Sequence, residues 1–207
     1  MSLFITFEGG EGSGKSVQAK ALYRKLSHLA IPVVLTHEPG VTLLGKKVAR
    51  WLKWGQNMNI SPIAELLLFN VSRAQLVTEV IRPNLESGKV VISDRYADST
   101  AAYQSYGRGL DLAMVKAVNN AAIQGLNPDL AVLLDIPVET GLARKKGKKQ
   151  DRFEGEELAF HQRVREGYLK LATNDPERWL VVDATQPKSK VAQIIWQKVS
   201  ELLSRKR

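Results

Sequence analysis

A glycine-rich loop close to the start of the chain constrains most strongly what this sequence can fold into. The segment reads Phe4-Ile5-Thr6-Phe7-Glu8-Gly9-Gly10-Glu11-Gly12-Ser13-Gly14-Lys15-Ser16. Four positions match the G-x-x-x-x-G-K-[ST] pattern of phosphate-binding loops, namely Gly9, Gly14, Lys15 and Ser16. The pattern requires a strand before the loop and a helix after it. The sequence predicts both, with a strand over 3–7 and a helix over about 15–29.

The residue types in this loop suit a polyphosphate. Glycine adopts positive φ values and lets the backbone close around a ligand, so that successive N–H groups point inward and form an anion site. The helix that follows adds unpaired N–H groups and a partial positive charge at its start. Lys15 is expected to reach the outer phosphates and the Ser16 hydroxyl to bind Mg²⁺. The sequence therefore predicts a site for a nucleoside triphosphate.

Length and composition are those of an ordinary globular protein. The 207 residues are 44% hydrophobic and 25% charged, which is enough for a packed core in one large domain or two small ones. Cysteine is absent, which excludes disulfides and thiolate metal sites and fits a reducing compartment. No apolar run reaches the roughly 18 residues of a membrane span, and the first residues do not resemble a signal peptide. We therefore expect a soluble cytoplasmic protein without a membrane partner.

The net charge of +9 is concentrated in one segment. Six basic residues and one acidic residue stand at positions 144–152, namely Arg144, Lys145, Lys146, Lys148, Lys149, Arg152 and Asp151. The rest of the chain is nearly balanced apart from the Arg205-Lys206-Arg207 tail. A basic loop beside a phosphate site fits small polyphosphates better than the extended groove of a nucleic-acid-binding protein. No nucleic-acid partner is expected.

Strand and helix patterns alternate along the chain, which predicts an α/β fold with a parallel sheet. Strands are predicted at 3–7, 33–35, 90–93, 130–134 and 179–182. Helices are predicted at 15–29 and 43–53, from Ser61 to about 81, from Asp111 to about 125, and at 138–144, 156–173 and 189–204, with Pro83 breaking the third. Five parallel strands with helices on both faces form a doubly wound sheet, in which ligands bind beyond the carboxyl ends of the strands.

Two further groups of residues have side chains that suit the binding of a substrate. Asp94 follows the strand at 90–93 and is placed like the acid that orients Mg²⁺ or its waters in phosphate-loop enzymes. Arg95 can bind a phosphoryl group through two N–H groups and neutralise its charge. Phe69 and Arg73 are four residues apart on one helix face, where they could stack on a base and donate to its carbonyl. From periodicity alone, however, a residue such as Phe69 is more often part of the core.

With these segments the sequence resembles the bacterial type of the thymidylate kinase family, whose members transfer a phosphoryl group from ATP to dTMP. The matching segments occur in the family's order and span almost the whole chain. They are Phe7-Glu8-Gly9 to Lys15-Ser16, Glu38-Pro39-Gly40, Leu67-Leu68-Phe69 with Arg73, Asp94-Arg95-Tyr96, Ser99-Thr100-Ala101-Ala102-Tyr103-Gln104, Pro128-Asp129-Leu130, Gly141-Leu142-Ala143-Arg144 and Asp151-Arg152-Phe153-Glu154. The resemblance implies a five-stranded P-loop NTPase fold of the nucleoside monophosphate kinase type, a single domain over residues 1–207 and a homodimer.

The resemblance also implies which residues bind ATP and Mg²⁺ and which catalyse the transfer. ATP would be bound by the loop and by a mobile lid at about 142–154, through Gly9, Gly10, Glu11, Gly12, Ser13, Gly14, Lys15, Ser16, Val17 and Arg144. Ser16 and Asp94 would hold Mg²⁺. The catalytic residues would be Lys15, Asp94, Arg95 and Arg152.

A second set of motif residues would bind dTMP. Its members are Glu11, Glu38, Pro39, Arg50, Phe69, Arg73, Arg95, Ser99, Thr100, Tyr103 and Gln104. Phe69 would stack on thymine, Arg73 would bind a thymine carbonyl, and Thr100 and Gln104 would lie at the base. Glu38, Arg50 and Arg95 would approach the sugar or the phosphate. Tyr103 would crowd the sugar 2′ position and disfavour ribose.

The sequence departs from the family pattern at several positions. Val17 stands where threonine is usual, His37 where arginine is common, and Val41 where the family has a second glycine. Between Arg144 and Arg152 the lid carries lysines, which cannot form the planar two-pronged contact of arginine. The residue that covers the transferring phosphoryl group is therefore left open.

Three other functions are compatible with the residues. The chain could be another nucleoside monophosphate kinase, acting on dUMP or an adenylate. It could be a catalytically weak relative that binds nucleotide as a sensor or partner-binding module. It could also bind nucleic acid, although the sequence lacks a basic groove interleaved with aromatic residues.

Overall fold

The computed structural model describes residues 2–55, 58–145, 147 and 151–205. Within them, five strands form one parallel sheet in the order β2-β3-β1-β4-β5. The strands are β1 (Leu3–Glu8), β2 (Val33–His37), β3 (Val90–Asp94), β4 (Leu130–Asp135) and β5 (Trp179–Asp183). Each strand extends slightly beyond its predicted end. The predicted five-stranded α/β sheet is confirmed.

The middle strand, β1, positions the functional edge of the sheet. It pairs with β3 on one side and β4 on the other, and its residues are all buried, as expected for a strand covered on both faces. The register sets Phe7 beside Asp94 and Glu8 beside Leu133. Because the strands are parallel, the loop after β1 and the residues after β3 lie at the same edge.

Helices cover both faces of this sheet. They are α1 (Lys15–His28), α2 (Leu43–Trp54), α3 (Pro62–Leu76), α4 (Arg82–Glu86), α5 (Ala97–Thr100), α6 (Leu112–Ile123), α7 (Val138–Ala143), α8 (Leu158–Asn174) and α9 (Lys188–Arg205), with π-helical segments at Val77–Ile81 and Ala101–Gly107. On one face, α1 and α9 pack against the sheet through residues such as Leu26 and Ile195. On the other, α3, α6 and α8 do so through Leu66, Val115 and Val164.

Side-chain caps fix where two of these helices begin. The Ser61 hydroxyl accepts a hydrogen bond from the Ala64 N–H at 3.3 Å. The Asp111 carboxylate accepts one from the Met114 N–H at 2.8 Å. Such a cap satisfies an otherwise unpaired N–H of the first turn and contributes about 1 kcal/mol. Both predicted helix starts are confirmed.

The prediction that Pro83 breaks the third helix is wrong. After α3 the chain widens into the π-helical segment Val77–Ile81 and continues directly as α4. Pro83 stands in the first turn of α4. An N–H is not needed there for the helical hydrogen bonds, so proline is tolerated.

A helical stretch over residues 97–107 was not predicted from the sequence. It consists of α5 and the π-helical segment Ala101–Gly107, and it packs against α6 and α8. Its residues are buried on several sides, polar ones such as Gln104 and Ser105 included. No single apolar face exists here, and therefore no helical period marks the stretch in the sequence.

Candidate active site

The glycine loop runs from the end of β1 to the start of α1 at the carboxyl edge of the sheet. Gly14, the residue before α1, has a φ of 96°, which glycine adopts without strain. At Gly12 an added Cβ atom would lie 1.9 Å from the carbonyl oxygen of Gly141 in α7. The loop therefore needs glycine both for its backbone shape and for its close contact with α7.

Lys15 is held inside the loop. Its side chain is nearly buried, and Nζ donates to the carbonyl oxygens of Gly9 at 2.8 Å and Gly10 at 2.7 Å. Burial, together with the nearby charge of Arg95, lowers the pKa of Lys15 to about 8. An ammonium group bound to neutral carbonyls beside the loop is well placed to pair with a phosphate.

The end of β3 meets the start of α1 through two oxygen-bearing side chains. The Ser16 hydroxyl donates a hydrogen bond to the Asp94 carboxylate. A hydroxyl and a carboxylate are ligands of the kind that Mg²⁺ prefers, and the ion usually completes its shell with phosphates and water. The donor set therefore fits a magnesium ion that is shared with a bound nucleotide.

Arg95 reaches back from the end of β3 toward the loop. Its φ of 75° lies in the left-handed region, which is uncommon for residues other than glycine and recurs at functional sites. The guanidinium donates to the Glu11 carboxylate at 2.6 Å and the Tyr103 hydroxyl at 3.1 Å. Burial opposes ionisation of Glu11, but Arg95 and Lys15 together hold the pKa of Glu11 at about 2. Glu11 and Arg95 are thus a charged pair.

A buried layer of hydrogen bonds supports Arg95 from behind. Glu8, at the end of β1, accepts hydrogen bonds from the Ser99 hydroxyl at 2.5 Å and the Tyr168 hydroxyl at 3.2 Å. Arg95 in turn donates to Ser99 Oγ at 3.3 Å and Tyr168 Oη at 3.4 Å. Burial raises the pKa of Glu8 to about 8. This layer restricts where the Arg95 guanidinium can point.

A cavity of about 940 Å³ joins the loop to the other motif residues. This volume lies within the upper part of the range found for small-molecule sites. Most of the predicted site residues line it, namely Glu11, Gly12, Ser13, Gly14, Lys15, Ser16, Val17, Glu38, Pro39, Phe69, Arg73, Asp94, Arg95, Ser99, Thr100, Tyr103, Gln104 and Arg144.

Arg73 forms the centre of a hydrogen-bond network at the far end of this cavity. It is almost fully buried, and its five N–H groups bond to the side chains of Glu38, Asn70, Asn119 and Thr100 and to the carbonyl of Tyr96, at 2.7–3.2 Å. A guanidinium has five N–H donors, so each is engaged within the protein. The bond from Arg73 to a thymine carbonyl stays a prediction, and it would have to share or replace one of these contacts.

Aromatic rings line the wall beside the Arg73 network. Phe69 is partly buried, and its ring centre lies 5.7 Å from that of Phe153. The ring of Tyr103 lies 6.0 Å from Phe153 in an edge-on arrangement. Phe69 therefore packs against other rings and also faces the cavity, where a planar base could stack on it.

The segment predicted as a lid has two cations at the cavity. Arg144 donates to the carbonyl oxygens of Gly12 at 3.3 Å and Ala184 at 3.2 Å. Lys145 pairs with Glu154 at 2.6 Å, and both line the cavity. Of the predicted lid at about 142–154, Lys146, Lys148, Lys149 and Gln150 lie outside the described residues.

Comparisons with known proteins agree on one family. The family model for thymidylate kinase matches residues 7–195. A thymidylate kinase of Dehalococcoides mccartyi strain CBDB1 is 55% identical over 203 residues, covering 98% of each chain. One of Roseiflexus sp. strain RS-1 is 49% identical, covering 94% of this chain and 92% of the relative. The crystal structure of thymidylate kinase from Ehrlichia chaffeensis matches with a TM-score of 0.79 at 32% identity, covering 96% of this chain and 98% of that one.

The chain belongs to the thymidylate kinase family. The resemblance inferred from the motifs is confirmed, and with it the P-loop NTPase fold and the assignment as a phosphotransferase that phosphorylates dTMP. The comparisons give no support to another monophosphate kinase or to a catalytically weak relative. None of the helices in the described part of the chain combines the length and the apolar character needed to cross a bilayer.

A few residues that the thymidylate kinase resemblance assigned to the site do not line the cavity. Gly9 and Gly10 contribute only through their carbonyl oxygens, which bind Lys15, and Lys15 in turn lines the cavity. Arg50 is exposed on α2. Arg152 donates to the Leu52 carbonyl at 3.0 Å and to the Glu65 carboxylate on α3. The roles of these residues stay predictions.

The site also contains polar residues that sequence reasoning missed. They are Glu8, Glu65, Asn70, Asn119 and Tyr168, and each is buried. Apart from Asn70, whose partners Leu66 and Arg73 are on its own helix, their hydrogen-bond partners lie far away in sequence, so spacing does not reveal them. A polar residue inside an apolar helix, such as Asn119 in α6, is the signal that could have found one of them, because a buried amide needs partners.

Proposed function

We propose that the chain transfers the γ-phosphoryl group of ATP to dTMP, giving dTDP and ADP for dTTP supply. The observation that carries the proposal is a cavity with two chemically different ends. At one end, the glycine loop with Lys15 and Ser16 suits a triphosphate. At the other, Phe69, Tyr103 and Gln104 offer rings and an amide that suit a base. Substrates bound at both ends would meet through their phosphates.

The reaction needs little covalent help from the protein. An oxygen of the dTMP phosphate attacks the γ-phosphorus of ATP, and the bond to the β–γ bridging oxygen breaks, so that ADP leaves with the electron pair. The attacking oxygen is already anionic and requires no general base. Catalysis is then mostly positioning and stabilisation of charge. We assign Lys15 and Arg95 to that stabilisation.

Mg²⁺ is the cofactor that the site fits. We assign Ser16 and Asp94 to the ion, because their oxygen atoms are already in contact. When bound, Mg²⁺ neutralises charge on the phosphates. Asp94 would also orient the water molecules that complete its shell.

We assign Glu38 and Tyr103 to the sugar of dTMP. Glu38 lines the cavity, and its Oε1 atom is buried without a hydrogen-bond partner among the described residues. A buried acceptor without a hydrogen-bond donor is costly, and a sugar hydroxyl of dTMP would supply that donor. The Tyr103 hydroxyl is fixed by Glu11 and Arg95, which holds its ring where it can crowd the 2′ position.

The lid cations that face the cavity are Arg144 and Lys145, as far as the described residues extend. We propose that they approach the ATP phosphates when the lid closes and that closure excludes water. A catalytic role for Arg152 would require its guanidinium to leave the carboxylate on α3.

A coupled assay of ADP formation with a panel of monophosphates tests the proposed function. We expect the highest kcat/KM with dTMP, compared with dUMP, dCMP and AMP. A higher value with another monophosphate would make the chain a different kinase. The absence of dTMP-dependent ADP formation would leave only nucleotide binding.

The remaining expectations concern assembly and location. We propose a homodimer with α3 at the contact, because Ile63, Leu67 and Val71 expose 42%, 49% and 44% of their surface there, whereas Leu66 faces the core. The single-domain organisation, the cytoplasmic location and the lack of a nucleic-acid partner stay predictions.

A further inference from the structure

Glu65, in the first turn of α3, is a fully buried carboxylate that contacts Gln104, and Gln104 lines the end of the cavity proposed for the base. Three side chains from distant parts of the sequence donate to it. Gln104 Nε2 lies 2.8 Å from Oε1, Arg108 binds both oxygens at 3.2 and 3.3 Å, and Arg152 binds Oε2. A carboxylate has about four lone-pair positions, and these four contacts use them.

This arrangement dictates how the Gln104 amide is turned. A guanidinium can only donate hydrogen bonds, so the Glu65 oxygens between Arg108 and Arg152 act as acceptors. The side of the Gln104 amide that faces Glu65 must therefore be the NH₂ group. The carbonyl oxygen lies on the opposite side of the same planar group, and Gln104 lines the cavity.

The orientation matters because pyrimidine bases differ at the ring atom N3. Thymine carries an N3–H donor, whereas N3 of cytosine is an acceptor. A fixed carbonyl oxygen would accept a hydrogen bond from thymine and would face the lone pair of cytosine. Sites built to hydrogen-bond one partner reject the other strongly, because a buried polar group is then left unpaired.

We propose that Glu65 is a positioning residue for base specificity: it holds the Gln104 amide with its carbonyl oxygen toward the base and thereby favours thymine over cytosine. The inference rests on the proposed function, because it requires dTMP to bind at this end of the cavity. A glutamine at position 65 could present either its oxygen or its NH₂ group, and Gln104 would then be free to turn over.

The test is the variant Glu65→Gln, measured as the ratio of kcat/KM for dTMP to kcat/KM for dCMP. We expect this ratio to fall about tenfold or more, since a turned amide replaces a favourable contact by an unfavourable one. The matched control is Glu156→Gln, which also removes a carboxylate from Arg108, at 2.6 Å, but makes no contact with Gln104. Its ratio should match that of the wild type.

A purely structural role for Glu65 predicts a different outcome. Both kcat/KM values would then fall together and the ratio would not change, which would overturn the inference. In the double variant Glu65→Gln/Gln104→Glu, the NH₂ group at position 65 can donate to one carboxylate oxygen at position 104, and the other oxygen can still accept a hydrogen bond from the base. This variant should recover part of the ratio. No recovery would count against the proposal.

A measurement on the wild-type protein keeps the inference testable if Glu65→Gln does not fold. The ligand is dTMP methylated at N3, which has no N3–H to donate. We expect it to bind about tenfold more weakly than dTMP or worse, and equal binding would overturn the inference. If the wild type does not phosphorylate dTMP at all, the proposed function fails; if it does and the ratio is unmoved, only the role of Glu65 fails.

Discussion

The phosphate end and the base end of the cavity hold their charges in opposite ways. At the phosphate end, Lys15 donates to neutral backbone carbonyls of its own loop. At the base end, the Arg73 guanidinium lies 2.8 Å from the Glu38 carboxylate, and both side chains are at most 3% exposed. At the first end, Lys15 presents a positive charge that is available to a ligand. The second has already neutralised its positive charge within the protein.

The difference reflects the ligands that the two ends would receive. A triphosphate brings its own negative charge. A loop of N–H groups with an ammonium group therefore needs no carboxylate partner within the protein. A pyrimidine base is neutral, so buried charges around it must be balanced in advance, because an unpaired buried charge is costly. We therefore expect substitutions at the phosphate end to reduce turnover and substitutions at the base end to reduce stability as well.

Lys15→Ala should have the largest effect on turnover. It removes the cation that we assign to the transferring phosphoryl group, and loss of one such group costs about 10²–10³-fold or more. Folding should be retained, because Lys15 lines the cavity and water can take the place of its ammonium group beside the loop carbonyls. Coupled ADP formation and a thermal melt measure the two effects.

The control for Lys15→Ala is Arg24→Ala, which removes an exposed cation from the same helix. It should leave turnover within about twofold, as expected for a surface charge. A Lys15→Ala enzyme that still turns over normally would remove the glycine loop from the mechanism.

Arg73→Ala should have a smaller effect on transfer chemistry but a clear one on stability. It leaves Glu38 buried without its partner, which typically costs about 3–5 kcal/mol. Affinity for dTMP should fall much more than affinity for ATP, because the lost network lies at the base end. Chemical denaturation and binding titrations with each nucleotide measure these effects.

The double variant Arg73→Met/Glu38→Gln separates the two contributions of Arg73. Removing both charges should recover part of the stability, without recovering dTMP binding. Equal loss of affinity for dTMP and ATP would show that Arg73 does not belong to the base end.

The same contrast explains what could be predicted from the sequence. The phosphate end is built from adjacent residues. The motif from Gly9 to Ser16 therefore contains both the functional side chains and the glycine spacing that shapes the loop. The parallel sheet could be predicted for the same reason, because a continuous apolar run such as β3 indicates by itself a strand that is buried on both faces. Asp94 and Arg95 could be placed because they directly follow a strand.

The base end could be predicted only as a resemblance, because its contacts join distant segments. The partners of Arg73 come from the segments that follow β2 and β3 and from α3, α5 and α6, and no local sequence pattern indicates that Asn119 contacts Arg73. The same is true of Arg152, which the motif predicted at the phosphates and the structure places on Glu65. The helix at Ala101–Gly107 was missed because burial on several sides hides its period.

Proton uptake on ATP binding is the smallest expected effect, and it tests the difference in charge between the two ends of the cavity. Lys15 has a pKa of about 8 because it is buried and near Arg95, so at about pH 8 half of the molecules carry its proton. Phosphate charge next to Lys15 raises this pKa, and binding should then take up about half a proton at that pH. Glu8, whose pKa is raised to about 8 by burial, would shift in the same direction.

Calorimetry in two buffers of different ionisation enthalpy measures this uptake. Uptake should diminish below about pH 7, where Lys15 is already protonated in the free protein. Lys15→Arg should reduce the uptake, since a guanidinium stays protonated throughout. Thymidine, which carries no phosphate, should bind at the base end with little proton exchange. Proton release with ATP, or equal uptake with thymidine, would show that the two ends do not differ in the way their charges are held.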